Sequence, residues 1–489
     1  MDSTQRSNYQ FLSIIMTDTN ATQIVILGGT GDLSKRKLLP ALLDLHVRGM
    51  LPTTCQIIGL ARSEWNNQEY ADFVRTTFNT HHSNHPHTEA QIDAFCSTLT
   101  FVSGALDDLT SYDKLENALI AFDTKEKVRS NRLFYLAVPP KFYEQIFVDL
   151  KRSGVANEEP GTWMHILVEK PFGSNLKTAQ QLDKQLAELY REDQIFRIDH
   201  YLAKEAVQNI LSFRFANTLL RASWSRDAIE SVHVKMFETI DVGSRASFYN
   251  EIGALRDVGQ NHLLQLLALI AMEEPASFKP EDIRRARANA LRAIKPIDIK
   301  NLQQVVLRAQ YEEYRENESV PDESQTETYF ELHAEFDTPK WEGVPFYIQS
   351  GKAVATSEVS ITIKLKDVAT GLFDTESCLS VGNEIKLTIS PEQSMDISLN
   401  AKSPGLGYQL ETRKLSLTCA KNKTELDNAY EKVLYDSIIG DHTLFTKTEE
   451  VISAWKFITP ILEHWHTIPL HSYKKGSRGP TETILKHGN

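Results

Sequence analysis

Residues able to move protons or hold anions gather in three short stretches of the chain. These are Glu169-Lys170-Pro171-Phe172-Gly173, Arg197-Ile198-Asp199-His200-Tyr201-Leu202-Ala203-Lys204-Glu205 and Arg256-Asp257-Val258-Gly259-Gln260-Asn261-His262. If a helix begins near Asp199, His200 and Lys204 stand four apart on one face, a clamp for a phosphate dianion. A solvated charged helix is the alternative. His262 falls in register with Leu255 and Val258 on an apolar stripe, so it reads either as a core histidine or as a general base. Asp257 lies five residues earlier and diverges by ~140° at 3.6 residues per turn. The carboxylate that would orient His262 must therefore come from elsewhere, and Asp199 is the candidate. Lys170 follows an apolar strand directly, where a lysine reaches a cofactor phosphate or a substrate hydroxyl. The plainer reading is a strand-ending turn, with which a cis bond at Pro171 is compatible.

A fourth stretch carries no acid–base chemistry but suits phosphate. Strand Gln23–Leu27 runs into Gly28-Gly29-Thr30-Gly31-Asp32-Leu33-Ser34-Lys35-Arg36-Lys37. Glycines permit a tight turn and close approach to a pyrophosphate, and the following helix offers free N–H donors. A full GxGxxG is absent, as is a Walker A loop. An ordinary glycine-rich turn stays open, although the position between strand and helix points to a dinucleotide. At the end of the second strand stands Arg62, where dinucleotide folds that take NAD carry an acid. From Gly28 to Arg62 five basic residues face two acidic ones. NADP is favoured over NAD.

Elements must position these groups. Gln23–Leu27, Gln56–Ala61, Arg132–Ala137 and His165–Val168 are short, continuous apolar runs, the mark of parallel strands covered on both faces. The helical segment Lys35–Val47, closed by Gly49, links the first two; Pro40 predicts a kink there or a restart of the helix. Repeated βαβ units imply a Rossmann-like, doubly wound parallel sheet. Further on, Tyr201–Phe213, Leu255–Met272 and Asp282–Ile294 have helical periodicity. Tyr329–Phe336, Val359–Lys366, Glu384–Ile389 and Leu410–Cys419 read as strands, several alternating apolar with polar. A large, mainly antiparallel sheet with helices, an α+β domain, is expected. The domains are then a disordered extension 1–21, a dinucleotide-binding domain 22–198 and an α+β substrate and oligomerisation domain 199–489.

Composition sets bounds. The chain of 489 residues has 53 Lys plus Arg against 65 Asp plus Glu, a net charge of −12, which argues against nucleic acid. Tyr311–Glu327 holds seven acids and one arginine and reads as a solvated loop. Cys55, Cys96, Cys378 and Cys419 are scattered, fitting neither disulfides nor a zinc site. No apolar run approaches the ~18 residues of a membrane span, and Phe11–Met16 is too short for a secretory signal. A cytoplasmic protein with no membrane partner is expected.

Taken in order, the motifs resemble the glucose-6-phosphate dehydrogenase family. GGTGDLSKRKLLPAL, LFYLAVPP, EKPFG, RIDHYLAKE and RDVGQNHLLQ stand in family order at family spacing, followed by WEGVPFYIQSGK (Trp341–Lys352) and GDHTLF (Gly440–Phe445). The resemblance implies oxidation of C1 of glucose 6-phosphate to the δ-lactone with hydride transfer to NADP, supplying NADPH, in a homodimer or homotetramer without a metal. It implies His262 as base, Asp199 as its orienting acid, and His200 and Lys204 as the phosphate clamp. It further implies Glu238, Asp257 and Lys352 on the sugar or its phosphate, and Lys170 shared by sugar and coenzyme. Gly28, Gly29, Thr30, Gly31, Asp32, Leu33, Ser34, Lys35, Lys37, Arg62 and Tyr143 match the coenzyme site. Departures include Ser357 and Gln349 at positions often basic, Ala203 for the usual glycine, Gly243-Ser244-Arg245 and Gly476-Ser477-Arg478-Gly479-Pro480. Losing a cation near the sugar weakens binding rather than chemistry. Two rival readings are a dehydrogenase of an unphosphorylated sugar and a non-catalytic NADP sensor.

Overall fold

A computed structural model describes residues 21–81, 87–367, 382–407, 409–418 and 429–485. Of the expected disordered extension, residues 1–20 lie outside the described residues, as do Cys378 and Cys419. Ala21 is ordered and buried, and its carbonyl accepts the Asn131 N–H at 2.8 Å.

The chain divides into two compact units. The first takes the residues up to Phe172, Gln181–His200 and Leu426–Thr446; the second takes Gly173–Gln180, Tyr201–Glu425 and everything from Lys447 onward. A single cut at Asp199 does not describe this division. Helix Ala429–Ile439 packs on helix Leu39–Val47. Phe445–Thr446 pairs with the edge of Ile195–Ile198. A two-residue strand carries no pattern that could announce it.

The first unit holds a seven-stranded sheet. Its strands are β1 (Thr22–Leu27), β2 (Cys55–Ala61), β3 (Leu99–Ser103), β4 (Asn131–Leu136), β5 (Met164–Val168), β6 (Ile195–Ile198) and, late in the chain, Phe445–Thr446. The order is β3-β2-β1-β4-β5-β6 with Phe445–Thr446 beyond β6. The first six run parallel and the last antiparallel. This is the doubly wound Rossmann order, and the crevice between the diverging connections opens at the carboxyl ends of β1 and β4. Every residue of β1 and β5 is buried, which is why these runs lack polar alternation. The segment after β1 is not one α-helix. Ser34–Leu38 forms a wide, π-helical turn and the α-helix Leu39–Val47 restarts behind it, with Pro40 in its first turn where no N–H is needed. Gly49 closes it at φ 67°.

The second unit is built on nine strands. They are β7 (Ile229–Phe237), β8 (Val306–Tyr311), β9 (Tyr329–Ala334), β10 (Phe346–Gly351), β11 (Glu358–Leu365), β12 (Glu384–Ser390), β13 (Ser394–Lys402), β14 (Leu410–Thr418) and Leu470–Tyr473. The order is β14-β13-β12-β11-β7-β10-β9-β8 followed by Leu470–Tyr473. Neighbours are antiparallel except β10 with β7 and Leu470–Tyr473 with β8. Val242, Ala246, Tyr249, Tyr329, Val354 and Tyr473 form part of an apolar cluster. Tyr311, Tyr314 and Val320 join it, and Glu327 is only 2% exposed, so the acidic stretch is not the solvated loop expected. Its aromatic and aliphatic residues anchor it while most of its acids face water.

Two helices differ from expectation in ways that matter for the site. The helix after Asp199 begins at Glu205, with Lys204 as its extended N-cap residue and Tyr201–Ala203 in a turn. His200 and Lys204 therefore do not share a helical face. The long helix expected from Leu255 is two: a π-helical Leu255–Leu263 and an α-helical Leu264–Ala271. Among the described residues no helix is long and apolar enough to cross a membrane, and no cluster of His, Cys, Asp or Glu could hold a metal ion.

Candidate active site

The coenzyme-type half lies on the first unit, at the switch point. Gly28 has φ 95°, and a Cβ there would stand 2.6 Å from Ala137 O and 3.0 Å from Val138 Cγ1. A Cβ at Gly29 would stand 2.7 Å from Gly59 Cα on β2. Backbone thus packs on backbone across three strands, leaving the crevice mouth to main-chain groups, as a dinucleotide cradle needs. Inside the loop, Gly31 N–H donates to Gly28 O at 2.9 Å and Ser34 Oγ donates to the same oxygen at 2.8 Å. Ser34 is buried, so its hydroxyl shapes the loop. Asp32 pairs with Arg36 at 2.7 Å on the surface. Thr30, Gly31, Leu33 and Lys35 are half-buried, and Lys37 and Arg62 are exposed.

At the end of β5, Glu169 and Lys170 precede a cis Lys170–Pro171 bond. Tyr143 is buried and donates from its hydroxyl to Glu169 O at 3.1 Å, so it braces this turn. Tyr135 donates to Glu169 Oε1 at 2.5 Å, and Tyr430 also bonds the Glu169 carboxylate. Burial holds this carboxyl above its ordinary range, offset by the Tyr135 bond and the charge of Lys170, while Asp199 nearby raises it further. Asp199 itself is 3% exposed at the end of β6, and the His200 ring stacks 6.1 Å from Tyr430. Glu169, Tyr135 and Tyr430 were not singled out from sequence. Glu169 adjoins Lys170 at the end of β5, but nothing local in the sequence links the two tyrosines to it.

The second unit carries the other half. In a π-helix hydrogen bonds run from i to i+5, so residues five apart fall towards the same side of the helix. The 3.6-residue estimate that separated Asp257 from His262 therefore does not apply to Leu255–Leu263. Asn261 sustains the wide turn: its Oδ1 accepts the His262 N–H at 2.7 Å and its Nδ2 donates to Asp257 O at 3.0 Å. His262 is 1% exposed, and its ring lies 4.4 Å from that of Tyr201. Lys204 Nζ sits 3.8 Å over the Tyr201 ring, a cation–π contact. The loop after β10 brings Lys352 into an ion pair with Glu238, at the end of β7, and within 3.9 Å of Asp257 Oδ2. Lys352 therefore bridges two carboxylates of the expected sugar site. Ser357 Oγ lies 3.0 Å from Thr239 Oγ1 and accepts the Thr239 N–H at 2.9 Å.

Both ends of the histidine-bearing helix pair are capped by charge. Arg214, buried, donates to Leu269 O and, at 2.8 Å, to Met272 O at the C-terminal end. Burial pulls its guanidinium down to about 9. At the N-terminal end Glu327 Oε1 accepts the Leu255 N–H at 2.9 Å. Burial pushes this carboxyl up, opposed by the Leu255 N–H, the Trp465 indole and the charge of Arg256.

Comparison with known proteins fits this pair of half-sites. A family model described as "Glucose-6-phosphate dehydrogenase, NAD binding domain" matches residues 25–209, and one described as "Glucose-6-phosphate dehydrogenase, C-terminal domain" matches 211–486. The chain belongs to the glucose-6-phosphate dehydrogenase family. An Arabidopsis thaliana relative, glucose-6-phosphate 1-dehydrogenase 5, cytoplasmic, is 37% identical over 96% of this chain and 91% of its own length. The Emericella nidulans glucose-6-phosphate 1-dehydrogenase is 37% identical, covering 94% and 90%. A solved glucose-6-phosphate dehydrogenase in complex with glucose 6-phosphate superposes with a TM-score of 0.87 at 35% identity, over 94% of this chain and 96% of that one. The Mycobacterium avium glucose-6-phosphate 1-dehydrogenase gives 0.81 at 30% identity, with the same coverage. Family membership thus spans both units, and the nicotinamide-binding fold and the α+β unit both lie within it.

Proposed function

We propose that this chain oxidises glucose 6-phosphate at C1 to 6-phosphoglucono-δ-lactone, with NADP as hydride acceptor. The observation that carries the reading is the wide helix Leu255–Leu263. It carries Asp257 and His262 in one element, and Lys352, just after β10, reaches Asp257 and Glu238. In this reading His262 takes the proton of the C1 hydroxyl. Asp199 holds the imidazole and stabilises the imidazolium that forms. Glu238 and Asp257 accept hydrogen bonds from sugar hydroxyls, and Lys352 keeps those two carboxylates from repelling each other. His200 and Lys204 supply positive charge for the 6-phosphate, Lys204 already oriented by the Tyr201 ring.

The glycine cradle at Gly28–Gly31 fits a dinucleotide pyrophosphate, and Lys35, Lys37 and Arg62 are the cations for the 2′-phosphate that separates NADP from NAD. Bound there, the nicotinamide supplies the hydride acceptor. Lys170, held by Tyr143 through Glu169, serves sugar and coenzyme together. The supporting observation for a homodimer or larger homo-oligomer is strand β14, an outer strand of its sheet, on which Leu415 and Leu417 are 60% and 64% exposed. The cytoplasm is the compartment we assign, in keeping with the names of the Arabidopsis relatives.

Spectrophotometric assay of coenzyme reduction tests the reading. Glucose 6-phosphate should drive NADP reduction where glucose does not, and no turnover by the wild type would refute the activity. His262→Asn should bind glucose 6-phosphate yet lose most of the rate. Arg62→Ala should raise the KM for NADP far more than that for NAD, and sedimentation velocity should show no monomer at working concentration.

A further inference from the structure

We infer that Glu327 is a positioning residue for this reaction: it locks the first turn of the helix that carries Asp257 and His262 to the strand end that holds Lys352. The inference rests on the dehydrogenase reading above and names a residue outside its substrate and coenzyme contacts. Glu327 lies at the tail of the acidic stretch, just before β9, and is 2% exposed. Its Oε1 accepts the Leu255 N–H at 2.9 Å, two residues before Asp257, and its Oε2 accepts the Trp465 indole N–H at 2.9 Å. Its main-chain oxygen accepts the Ala254 N–H at 3.2 Å and the Tyr249 hydroxyl at 3.3 Å. A carboxylate at a helix N-terminus satisfies N–H groups that the helix leaves without intrahelical partners and lies at the positive end of the dipole.

The next residue completes the link. Thr328 O accepts the Lys352 N–H at 3.0 Å, and the Tyr473 hydroxyl bridges Lys352 O at 2.6 Å and Thr328 Oγ1 at 2.9 Å. One dipeptide thus grips the start of the histidine-bearing helix by the side chain of Glu327 and the backbone of Lys352 by Thr328. The chain entering the helix accommodates this grip at Gly253, with φ 74° and ψ 169°, where a Cβ would lie 2.4 Å from Glu327 Oε1. A helix N-terminus capped only by water would leave its register against Lys352 to packing alone. Small displacements of a reacting group carry large rate penalties.

The test uses the full-length protein and four variants: Glu327→Gln, Trp465→Phe, the double variant and His262→Asn. Glutamine is isosteric but has a single acceptor oxygen. If that oxygen keeps the Leu255 N–H, its amide N–H₂ confronts the Trp465 indole N–H. Removing the indole N–H with phenylalanine relieves the conflict. The expected result is a ten- to hundredfold loss of kcat/KM for glucose 6-phosphate in Glu327→Gln, with the KM for NADP within twofold of wild type. The double variant should recover most of that loss. A Glu327→Gln enzyme with wild-type kinetics overturns the inference, as does a double variant no faster than the single one. So does a loss shared equally by the KM for NADP and by thermal stability. Should Glu327→Gln prove insoluble, the double variant decides, near-wild-type kinetics supporting the role and a hundredfold loss overturning it. Normal turnover by His262→Asn overturns the base assignment alone, whereas an inactive wild type overturns both.

Discussion

Gly253 offers a quantitative probe of the architecture around the histidine-bearing helix. Its φ of 74° with ψ of 169° lies in a region open essentially to glycine alone. Alanine there pays about 1–3 kcal/mol in backbone strain. The added Cβ also lies 2.4 and 2.6 Å from the two carboxylate oxygens of Glu327 and 2.7 Å from its carboxyl carbon. The carboxylate is buried, so it can only retreat from the Leu255 N–H or the Trp465 indole, and a hydrogen bond to a charged group contributes roughly 1.5–3 kcal/mol. Against this stands about 0.4–1 kcal/mol from the stiffer unfolded chain. The net expectation for Gly253→Ala is a destabilisation of about 2–5 kcal/mol, a fall of roughly 4–20 °C in the melting transition of the second unit at about 2–4 °C per kcal/mol.

Gly343→Ala is the control. Gly343 has φ 78°, but a Cβ there would meet nothing within 4 Å. Its cost should be the backbone term alone, about 1–2 kcal/mol. Differential scanning calorimetry of wild type and both variants, with steady-state kinetics alongside, separates the two terms. If Gly253→Ala melts with Gly343→Ala and keeps its kcat/KM for glucose 6-phosphate, the carboxylate does not sit where the geometry puts it.

Other sites yield further expectations. Gly28→Ala, with its Cβ 2.6 Å from Ala137 O, should raise the KM for NADP at least tenfold without moving that for glucose 6-phosphate, and equal KM values would deny the cradle its role. His165 stacks 4.1 Å from Trp163, bonds Ser437 O through Nδ1 at 2.7 Å, and burial pulls its imidazole down to about 4. It stays neutral in the fold while the unfolded chain takes a proton below about 6.5, so the stability it secures is intact above that pH and drains away towards pH 4. His165→Phe should flatten the loss of stability over that window by up to about 1.4 kcal/mol per pH unit, read from urea midpoints. His233, also pulled down to about 4, keeps part of the slope, and superimposable pH profiles would contradict the account. Ser357→Lys returns a cation to the loop beside Glu238; its KM for glucose 6-phosphate should fall severalfold, up to about tenfold for a pair worth 1.4 kcal/mol.

Much of the fold was legible because burial leaves a simple trace. The strands at Gln23, Gln56, Arg132 and His165 are buried on both faces, and continuous apolar runs give them away. Arg62 and the glycine loop were legible for the same reason, since each stands where such a run ends. What escaped detection depends on geometry that residue types do not encode. A wide helix and an α-helix share the same apolar residues, so the smaller angle between Asp257 and His262 was hidden by the assumption of 3.6 residues per turn. The start at Glu205 rather than Asp199 was hidden because no Ser, Thr or Asn marks an N-cap there. Glu327 was lost in a charge count, which treats an acid that caps a helix like one that faces water.

The return of Leu426–Thr446 to the first unit bears on synthesis and dissection. A ribosome releases β1 to β6 long before Phe445–Thr446 exists to cover the outer edge of β6, and the apolar face of Leu39–Val47 waits equally long for helix Ala429–Ile439. The nucleotide-binding sheet is thus begun first, yet it is closed only after β7 to β14 of the other sheet have been made. A fragment ending near residue 209 would carry an open sheet edge and an uncovered helix, both invitations to aggregate. The first unit is therefore not a detachable module, and it is complete only when nearly the whole chain is present.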